Sequence, residues 1–258
     1  MSVYNGMPHL REAVKSILIQ TYKNFEFIII NDGSKDKTWD YLKDLKDKRV
    51  KLIQNTKNLG LAASLNIALK KANGDYIARM DADDISLPIR LEEQIKFLLK
   101  NHSVDLCGSA VYLINEKGTV VGSKTRPTKD STIKRTLGIY PCIIHPTFMG
   151  KKEFFTSLGG YRTEFDGAEE YDLLMRARNK SKFANLHIKL LKWRLRNDRR
   201  SIKIMQVMNK LDLKIKLQAL KRGNIDIFSL YGYLKMFLMT YFLPVKIKVK
   251  LARFLKIA

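Results

Sequence analysis

The chain has 258 residues, of which 45% are hydrophobic, so it can bury a sizeable core as one large domain or as one domain with an appendage. Its formal net charge is +23, and residues 182–258 contribute most of it, with 19 Lys and Arg against three Asp and Glu. This excess predicts a polyanionic partner, namely nucleic acid, an anionic membrane surface or a phosphorylated substrate. Two cysteines far apart in the sequence exclude a disulfide framework and a cysteine-based metal site.

Strand and helix patterns alternate through the first hundred residues. The predicted strands are apolar runs at 25–30, 50–54 and 75–80. The predicted helices have apolar residues three or four positions apart and cover 7–20, 38–45, 61–72 and 87–101. This alternation predicts an α/β fold in which a mostly parallel sheet is flanked by helices on both faces.

Carboxylates follow two of these predicted strands. Asp32 comes after the run at 25–30, and Asp81, Asp83 and Asp84 come after the run at 75–80. Open α/β sheets bind ligands beyond the carboxyl ends of their strands, so both sets are expected at one site. Carboxylate oxygens suit Mg²⁺ or Mn²⁺, which also bind phosphates, and this predicts a divalent metal that holds a diphosphate. An acidic turn that caps the next helix is the alternative.

The second half of the chain has shorter predicted elements. Strands are expected at 104–114 and 120–122, extended chain at 145–149, and helices at 132–137 and 152–158. The stretch 167–176 is expected to be a helix, because its acidic first turn suits the positive end of the helix dipole.

Eight short motifs occur together in one order along the chain. They are Ser2-Val3-Tyr4-Asn5-Gly6, Gln20-Thr21-Tyr22, Asn31-Asp32-Gly33-Ser34, Asn58-Leu59-Gly60, Asp81-Ala82-Asp83-Asp84, His145-Pro146-Thr147, Gly159-Gly160-Tyr161 and Glu169-Glu170-Tyr171-Asp172-Leu173. With these motifs the chain resembles glycosyltransferase family 2, a large group of nucleotide-sugar transferases with a GT-A fold. The resemblance implies a GT-A catalytic domain over residues 1–196, followed by a basic helical region at 197–258.

This resemblance implies an inverting transfer of a sugar from a nucleotide-sugar, usually a UDP-sugar, to a hydroxyl of a glycan or lipid-linked acceptor. The nucleobase is implied to be held by Val3, Tyr4 and Asp32. Asp81 is implied to face the ribose, and Asp83 to bind the Mn²⁺ or Mg²⁺ that neutralises charge on the departing diphosphate. Glu170 stands where the family has its catalytic base, which takes a proton from the acceptor hydroxyl.

Departures from the family pattern leave alternatives open. The base position holds Glu170 where most relatives have Asp, so Glu169 or Asp172 could serve instead, and His145 could line the acceptor or metal side. Arg196 stands in place of a His that touches the diphosphate in many relatives, and an arginine keeps a positive charge there. The chain also begins without several strand residues that relatives usually have, so either the start codon is misassigned or the first strand is truncated.

The basic C-terminal region shows helical spacing at 202–220 and 225–243, with apolar stretches too interrupted for a transmembrane helix. Basic amphipathic segments with aromatic residues bind the interface of anionic membranes. The protein is therefore expected to be cytoplasmic and peripheral on the inner face of a bacterial cell membrane. A solvated helical tail that packs on the catalytic domain is the alternative. A nucleic-acid partner is not expected, because the sequence contains no recognisable nucleic-acid module.

The leading hypothesis is a glycosyltransferase of surface polysaccharide, lipopolysaccharide or capsule synthesis. A nucleotidyltransferase would also place acids on a metal beside a parallel sheet, but it needs a Gly-rich, basic segment near the first strand, which residues 2–7 lack. A catalytically inactive, membrane-associated protein of the same fold is the third hypothesis, because of the Glu at the base position and the truncated first strand.

Overall fold

The computed structural model describes residues 1–195, 202–223 and 226–242. Strands and helices alternate through its first part, as the sequence pattern predicts. The strands there are β1 (Ser2–Val3), β2 (Phe27–Asn31), β3 (Val50–Gln54), β4 (Tyr76–Ala78) and β5 (Ile85–Ser86). The helices between β1 and β4 are α1 (Leu10–Leu18), α2 (Thr38–Lys43) and α3 (Leu61–Lys71).

The second part holds two long strands, two short ones and the C-terminal helices. The strands are β6 (Leu106–Ile114), β7 (Val120–Lys124), β8 (Met149–Lys151) and β9 (Phe183–Arg194). The helices are α4 (Arg90–Lys100), α5 (Asp130–Leu137), α6 (Lys152–Ser157), α7 (Glu169–Ala177), α8 (Ile202–Lys221) and α9 (Ile227–Tyr241). None of the helices within the described ranges is long and apolar enough to cross a membrane.

The described strands form two sheets. The first has the order β1-β2-β3 and is parallel throughout. All five residues of β2 are buried, as expected for a strand covered by helices on both faces. The second sheet follows the order β4-β8-β6-β9-β5, with β7 also paired to β6.

The α/β fold is confirmed, and its parallel character is strongest in the first sheet. In the second sheet β6 and β9 run parallel, whereas β8 is antiparallel to β4 and β6, and β5 is antiparallel to β9. The pair β6–β7 is joined by a short turn, which permits only the antiparallel arrangement because a parallel pair needs a longer crossover.

Two of the differences from the sequence prediction concern residues 145–149 and β9. Residues 145–149 were expected to be extended, but His145–Thr147 forms a 3₁₀ turn before β8 begins. Pro146 favours this turn because its φ is already fixed near the helical value, and the Phe148 N–H closes it on the carbonyl of His145 at 3.0 Å. Strand β9 was not predicted. Arg196 and residues 243–258 of the expected basic helical region lie outside the described residues.

Helices and sheets bring the ends of β1 and β4 together. Met80, just beyond β4, is buried in the same apolar cluster as Met1 and Val3 of the first sheet. The backbone N–H of Asp32, just after β2, donates to the carbonyl of Val3 at 2.8 Å. The residues that follow β1, β2 and β4 therefore lie at one edge, where an α/β fold binds its ligand.

Candidate active site

Three carboxylates form the turn that follows β4. Asp81, Asp83 and Asp84 each bring an oxygen to within 4.8 Å of the others. Asp84 is buried, and its Oδ1 accepts from the backbone N–H of Arg194 at 2.8 Å, while its Oδ2 has no hydrogen-bond partner among the described residues. Burial, and then repulsion from Asp81 and Asp83, raises the pKa of Asp84 well above its usual range.

Arg194, at the end of β9, holds this acidic turn through hydrogen bonds to Asp83 and Asp84. Its Nε donates to the carbonyl of Asp83 at 2.8 Å, and its Nη2 pairs with Glu12 of α1 at 2.7 Å. Its Nη1 donates to the carbonyls of Asn115 and Glu116, in the turn between β6 and β7. One buried guanidinium therefore joins four segments of the chain around the acids.

Arg79, just before the turn, is a site residue that the sequence analysis missed. Its guanidinium pairs with both oxygens of Asp81, at 2.5 and 2.6 Å, and the side chain is only 4% exposed. Its Nε has no hydrogen-bond partner in the described part of the chain. The signal was a charged residue between a buried strand and an acidic turn, a place where it needs a counter-ion.

A second group of titratable side chains lies beside Arg79. His145 Nδ1 is 3.6 Å from Glu169 Oε1 and 4.0 Å from Glu170 Oε2, and His145 Nε2 hydrogen-bonds the hydroxyl of Tyr161 at 3.1 Å. The 3₁₀ turn supplies His145, and the first turn of α7 supplies both glutamates. Two segments far apart in sequence thus build one acidic pocket.

The pKa values show that the two groups share one electrostatic environment. Burial, and then Glu169, raises the pKa of Glu170 to about 8, while Arg79 opposes this shift and Asp81 adds to it. Burial and the charge of Arg79 lower the pKa of His145 well below its usual range, so its imidazole is neutral at physiological pH. The acidic turn and the pocket of α7 therefore act on one another.

The sequence profile of Glycosyl transferase family 2 matches residues 1–159. The chain is 36% identical over 206 residues to the O-antigen biosynthesis glycosyltransferase WbnJ of Escherichia coli, covering 76% of this chain and 78% of that protein. The chain belongs to glycosyltransferase family 2. It is therefore a glycosyltransferase, and this confirms the resemblance inferred from the eight motifs.

Two solved structures share the GT-A fold of this family 2 enzyme. TarS of S. aureus in complex with UDP-GlcNAc superposes with a TM-score of 0.70 at 19% identity, over 92% of this chain and 71% of that one. The mannosyltransferase PcManGT of Pyrobaculum calidifontis, in complex with GDP-Man and Mn²⁺, gives 0.66 at 18% identity, over 90% and 68%. At these identities the likeness concerns the fold alone.

The predicted nucleobase residues of this family 2 enzyme lie together at the edge of the first sheet. Tyr4 is 44% exposed, whereas Val3 and Asp32 are buried. Asp32 Oδ1 accepts from Asn55 Nδ2 at 2.7 Å and from the Leu59 N–H at 2.9 Å, and its Oδ2 accepts from the Gly60 N–H at 3.0 Å. Asp32 thus holds the 55–60 loop against the strand edge.

Asp172 occupies a different place from Glu169 and Glu170. Both of its oxygens are engaged by arginines: Arg162 binds through Nε at 3.0 Å and through Nη2, and Arg176 Nε donates at 2.8 Å. Arg176 also donates to the carbonyls of Leu158 and Gly160. This cluster ties α7 to the 158–162 loop.

Proposed function

We propose that this glycosyltransferase moves a sugar from a UDP-sugar to a hydroxyl of its acceptor with inversion at the anomeric carbon. One observation supports the proposal above all others. The acidic turn after β4 and the pocket of His145, Glu169 and Glu170 influence one another's pKa values, and the charge of Arg79 acts on both. A donor held at the acidic turn would have a base beside it.

In the proposed reaction the carboxylate of Glu170 takes the proton of the acceptor hydroxyl. That oxygen attacks the anomeric carbon as the bond from this carbon to the diphosphate oxygen breaks, and the nucleoside diphosphate leaves. A single displacement of this kind inverts the configuration. Glu170 suits the role better than its neighbours: it is 24% exposed, whereas Glu169 is 3% exposed and already accepts from the Gly167 N–H at 2.6 Å. Asp172 is held by its two arginines.

The residues of the acidic turn fit a divalent metal. The buried Oδ2 of Asp84 has no partner among the described residues, and burial together with repulsion from Asp81 and Asp83 raises the pKa of Asp84. Both observations indicate that a cation would stabilise this turn. We assign Asp83 as a ligand of Mn²⁺ or Mg²⁺, with the oxygens of Asp81 and Asp84 within reach. Such an ion would supply charge neutralisation for the leaving diphosphate.

The remaining donor and acceptor assignments are part of the same proposal. Val3, Tyr4 and Asp32 would hold the nucleobase, Asp81 would face the ribose, and Arg196 would contact the diphosphate. The acceptor would be a glycan or a lipid-linked sugar of surface polysaccharide synthesis, as the O-antigen enzyme of Escherichia coli suggests. We place the protein in the cytoplasm, peripherally on the inner face of the cell membrane.

Release of nucleoside diphosphate from a panel of UDP- and GDP-sugars, with and without Mn²⁺, tests this function. Membrane extract would supply the acceptor. The wild type is compared with Asp83→Asn and with a matched control, Asp75→Asn, whose exposed side chain lies just before the start of β4 rather than after its end. We expect metal-dependent release that Asp83→Asn loses and Asp75→Asn keeps.

Three outcomes would overturn parts of this proposal. Metal-dependent release that survives Asp83→Asn would refute the metal role of Asp83. Calorimetric binding of UDP with Mn²⁺ in the absence of any transfer to membrane extract would favour the inactive GT-A-like protein. Release from GDP-sugars but not from UDP-sugars would replace the proposed donor while keeping the reaction class.

A further inference from the structure

Helix α9 presents an apolar stripe to solvent. Its exposed apolar residues recur three or four positions apart, which places them on one side of the helix. They are Ile227, Leu230, Tyr231, Leu234, Leu238 and Tyr241, each between 46% and 76% exposed. Contiguous exposed apolar surface of this kind marks an interaction site.

The opposite side of α9 is firmly attached to the catalytic domain. Gly232 approaches Gly138 so closely that a Cβ atom on Gly232 would lie 1.9 Å from the Gly138 carbonyl oxygen. The buried Arg178 of the domain donates to Ser229 Oγ at 2.6 Å and to Asp226 Oδ2 at 2.5 Å. The stripe is therefore displayed in a fixed orientation.

The charges around the stripe are of one sign. Residues 202–242 contain seven Lys and Arg but only two acids, Asp212 and Asp226. Asp212 pairs with the buried Lys216, and Asp226 pairs with Arg178. Apart from Asp226, whose carboxylate is paired, the exposed charged side chains in the described part of 202–242 are basic. They are Lys210, Lys214, Lys221, Arg222 and Lys235.

A groove between α8 and α9 adds to this surface. It has a volume of about 380 Å³, and its apolar walls are Leu213 and Leu217 from α8 and Tyr233, Phe237 and Tyr241 from α9. Lys210 and Lys214 also line it. Apolar and aromatic walls suit an acyl chain, and the two ammonium groups suit a phosphate.

We propose that the stripe of α9 inserts into the interface of a membrane that contains anionic phospholipid, with the surrounding Lys and Arg at the lipid phosphates. Two copies of this chain joined through the stripe would bring like charges together, which disfavours a dimer there. The proposal names the surface that would attach the enzyme, and it does not depend on the transfer reaction being correct.

Sedimentation with lipid vesicles tests the proposal directly. The full chain is mixed with vesicles of phosphatidylcholine alone or of phosphatidylcholine with phosphatidylglycerol. The variant Leu234→Asp/Leu238→Asp is compared with a matched control, Val120→Asp/Val121→Asp, which alters exposed valines of β7. Because aspartate removes apolar surface and adds repulsion, the α9 variant should bind the anionic vesicles about tenfold more weakly or worse, and the control should bind like the wild type.

Several results would overturn the proposal. One is wild-type protein that binds neither kind of vesicle, or that binds vesicles of phosphatidylcholine alone as tightly as those with phosphatidylglycerol. Another is an α9 variant that binds as tightly as the wild type. Analytical ultracentrifugation without lipid tests whether the stripe instead binds a second copy of this chain. A wild-type dimer that Leu234→Asp/Leu238→Asp dissociates would show that it does. Circular dichroism of both variants confirms that they are folded, and UDP binding reports on the donor site separately.

Discussion

The ionisation of Glu170 provides the sharpest test of the proposed mechanism. Burial and the neighbouring Glu169 raise its pKa to about 8, and a general base acts only in its ionised form. At pH 7 roughly a tenth of the molecules would carry an ionised Glu170, and at pH 9 roughly nine-tenths. We therefore expect kcat/KM for sugar transfer to rise about tenfold over this interval.

The assay measures kcat/KM with a fixed donor and Mn²⁺ concentration across this pH range. Glu170→Gln should remove transfer while it leaves donor binding intact. Arg79→Met should move the rising limb to higher pH, because the charge of Arg79 lowers the pKa of Glu170. Arg79→Lys keeps that charge and serves as the control, so its limb should stay near that of the wild type.

A pH profile that is flat or falls between these values would refute the assignment of Glu170 as the base. Transfer that survives Glu170→Gln would do so as well, and would direct attention to Glu169. If kcat/KM rises with pH but the midpoint of the rise is the same in Arg79→Met as in the wild type, the titrating group does not interact with Arg79.

Three further predictions concern stability. The pKa of Glu170 is near 4.5 when unfolded and about 8 when folded, so ionising the buried side chain costs stability as pH rises between these values. Glu170→Gln should therefore raise the free energy of unfolding at pH 9 by roughly a few kcal/mol, seen as a higher unfolding temperature, but not below pH 4.5. Asp172→Asn should cost about 3 kcal/mol in urea unfolding, because it leaves two arginines without their carboxylate, with UDP binding unchanged. Gly232→Ala should expose α9 to limited proteolysis, at a cost of about 1–3 kcal/mol, since its new methyl collides with Gly138.

Much of the first sheet could be predicted because its signals are local. The run that became β3 has the bounds 50–54 in both the prediction and the structure, and α3 ends one residue before the predicted end. Strand β9 was missed because its sequence lacks a local pattern. Lys, His and Asn interrupt its apolar residues, and its register against β6 shifts between Ser109 and Val111, so neither a continuous apolar run nor strict alternation marks it.

In the candidate site, too, the residues with a local sequence signal were predictable and the others were not. The acids were predictable because they cluster within a few positions after a strand. The arginines that organise them were not, since Arg194 meets Asp83 across 111 positions and a pairing of that range leaves no periodic trace. For the same reason the sequence did not show which of these acids is accessible to solvent. Arg162 and Arg176 bind Asp172, whereas Glu170 is the most exposed of the three acids, and the local sequence 169–172 predicts neither fact.

The net charge of +23 combines two groups of cations that differ in their exposure to solvent. Around the acidic turn, the cations Arg79 and Arg194 are buried and paired, so salt screens them little. On α8 and α9, Lys210, Lys214, Lys221 and Lys235 are exposed, where screening is strong. Raising the salt concentration should therefore weaken attachment to anionic vesicles while the Arg79–Asp81 pair persists. If the stripe attaches the enzyme to a membrane as we propose, salt would release the enzyme without disturbing the geometry of its site.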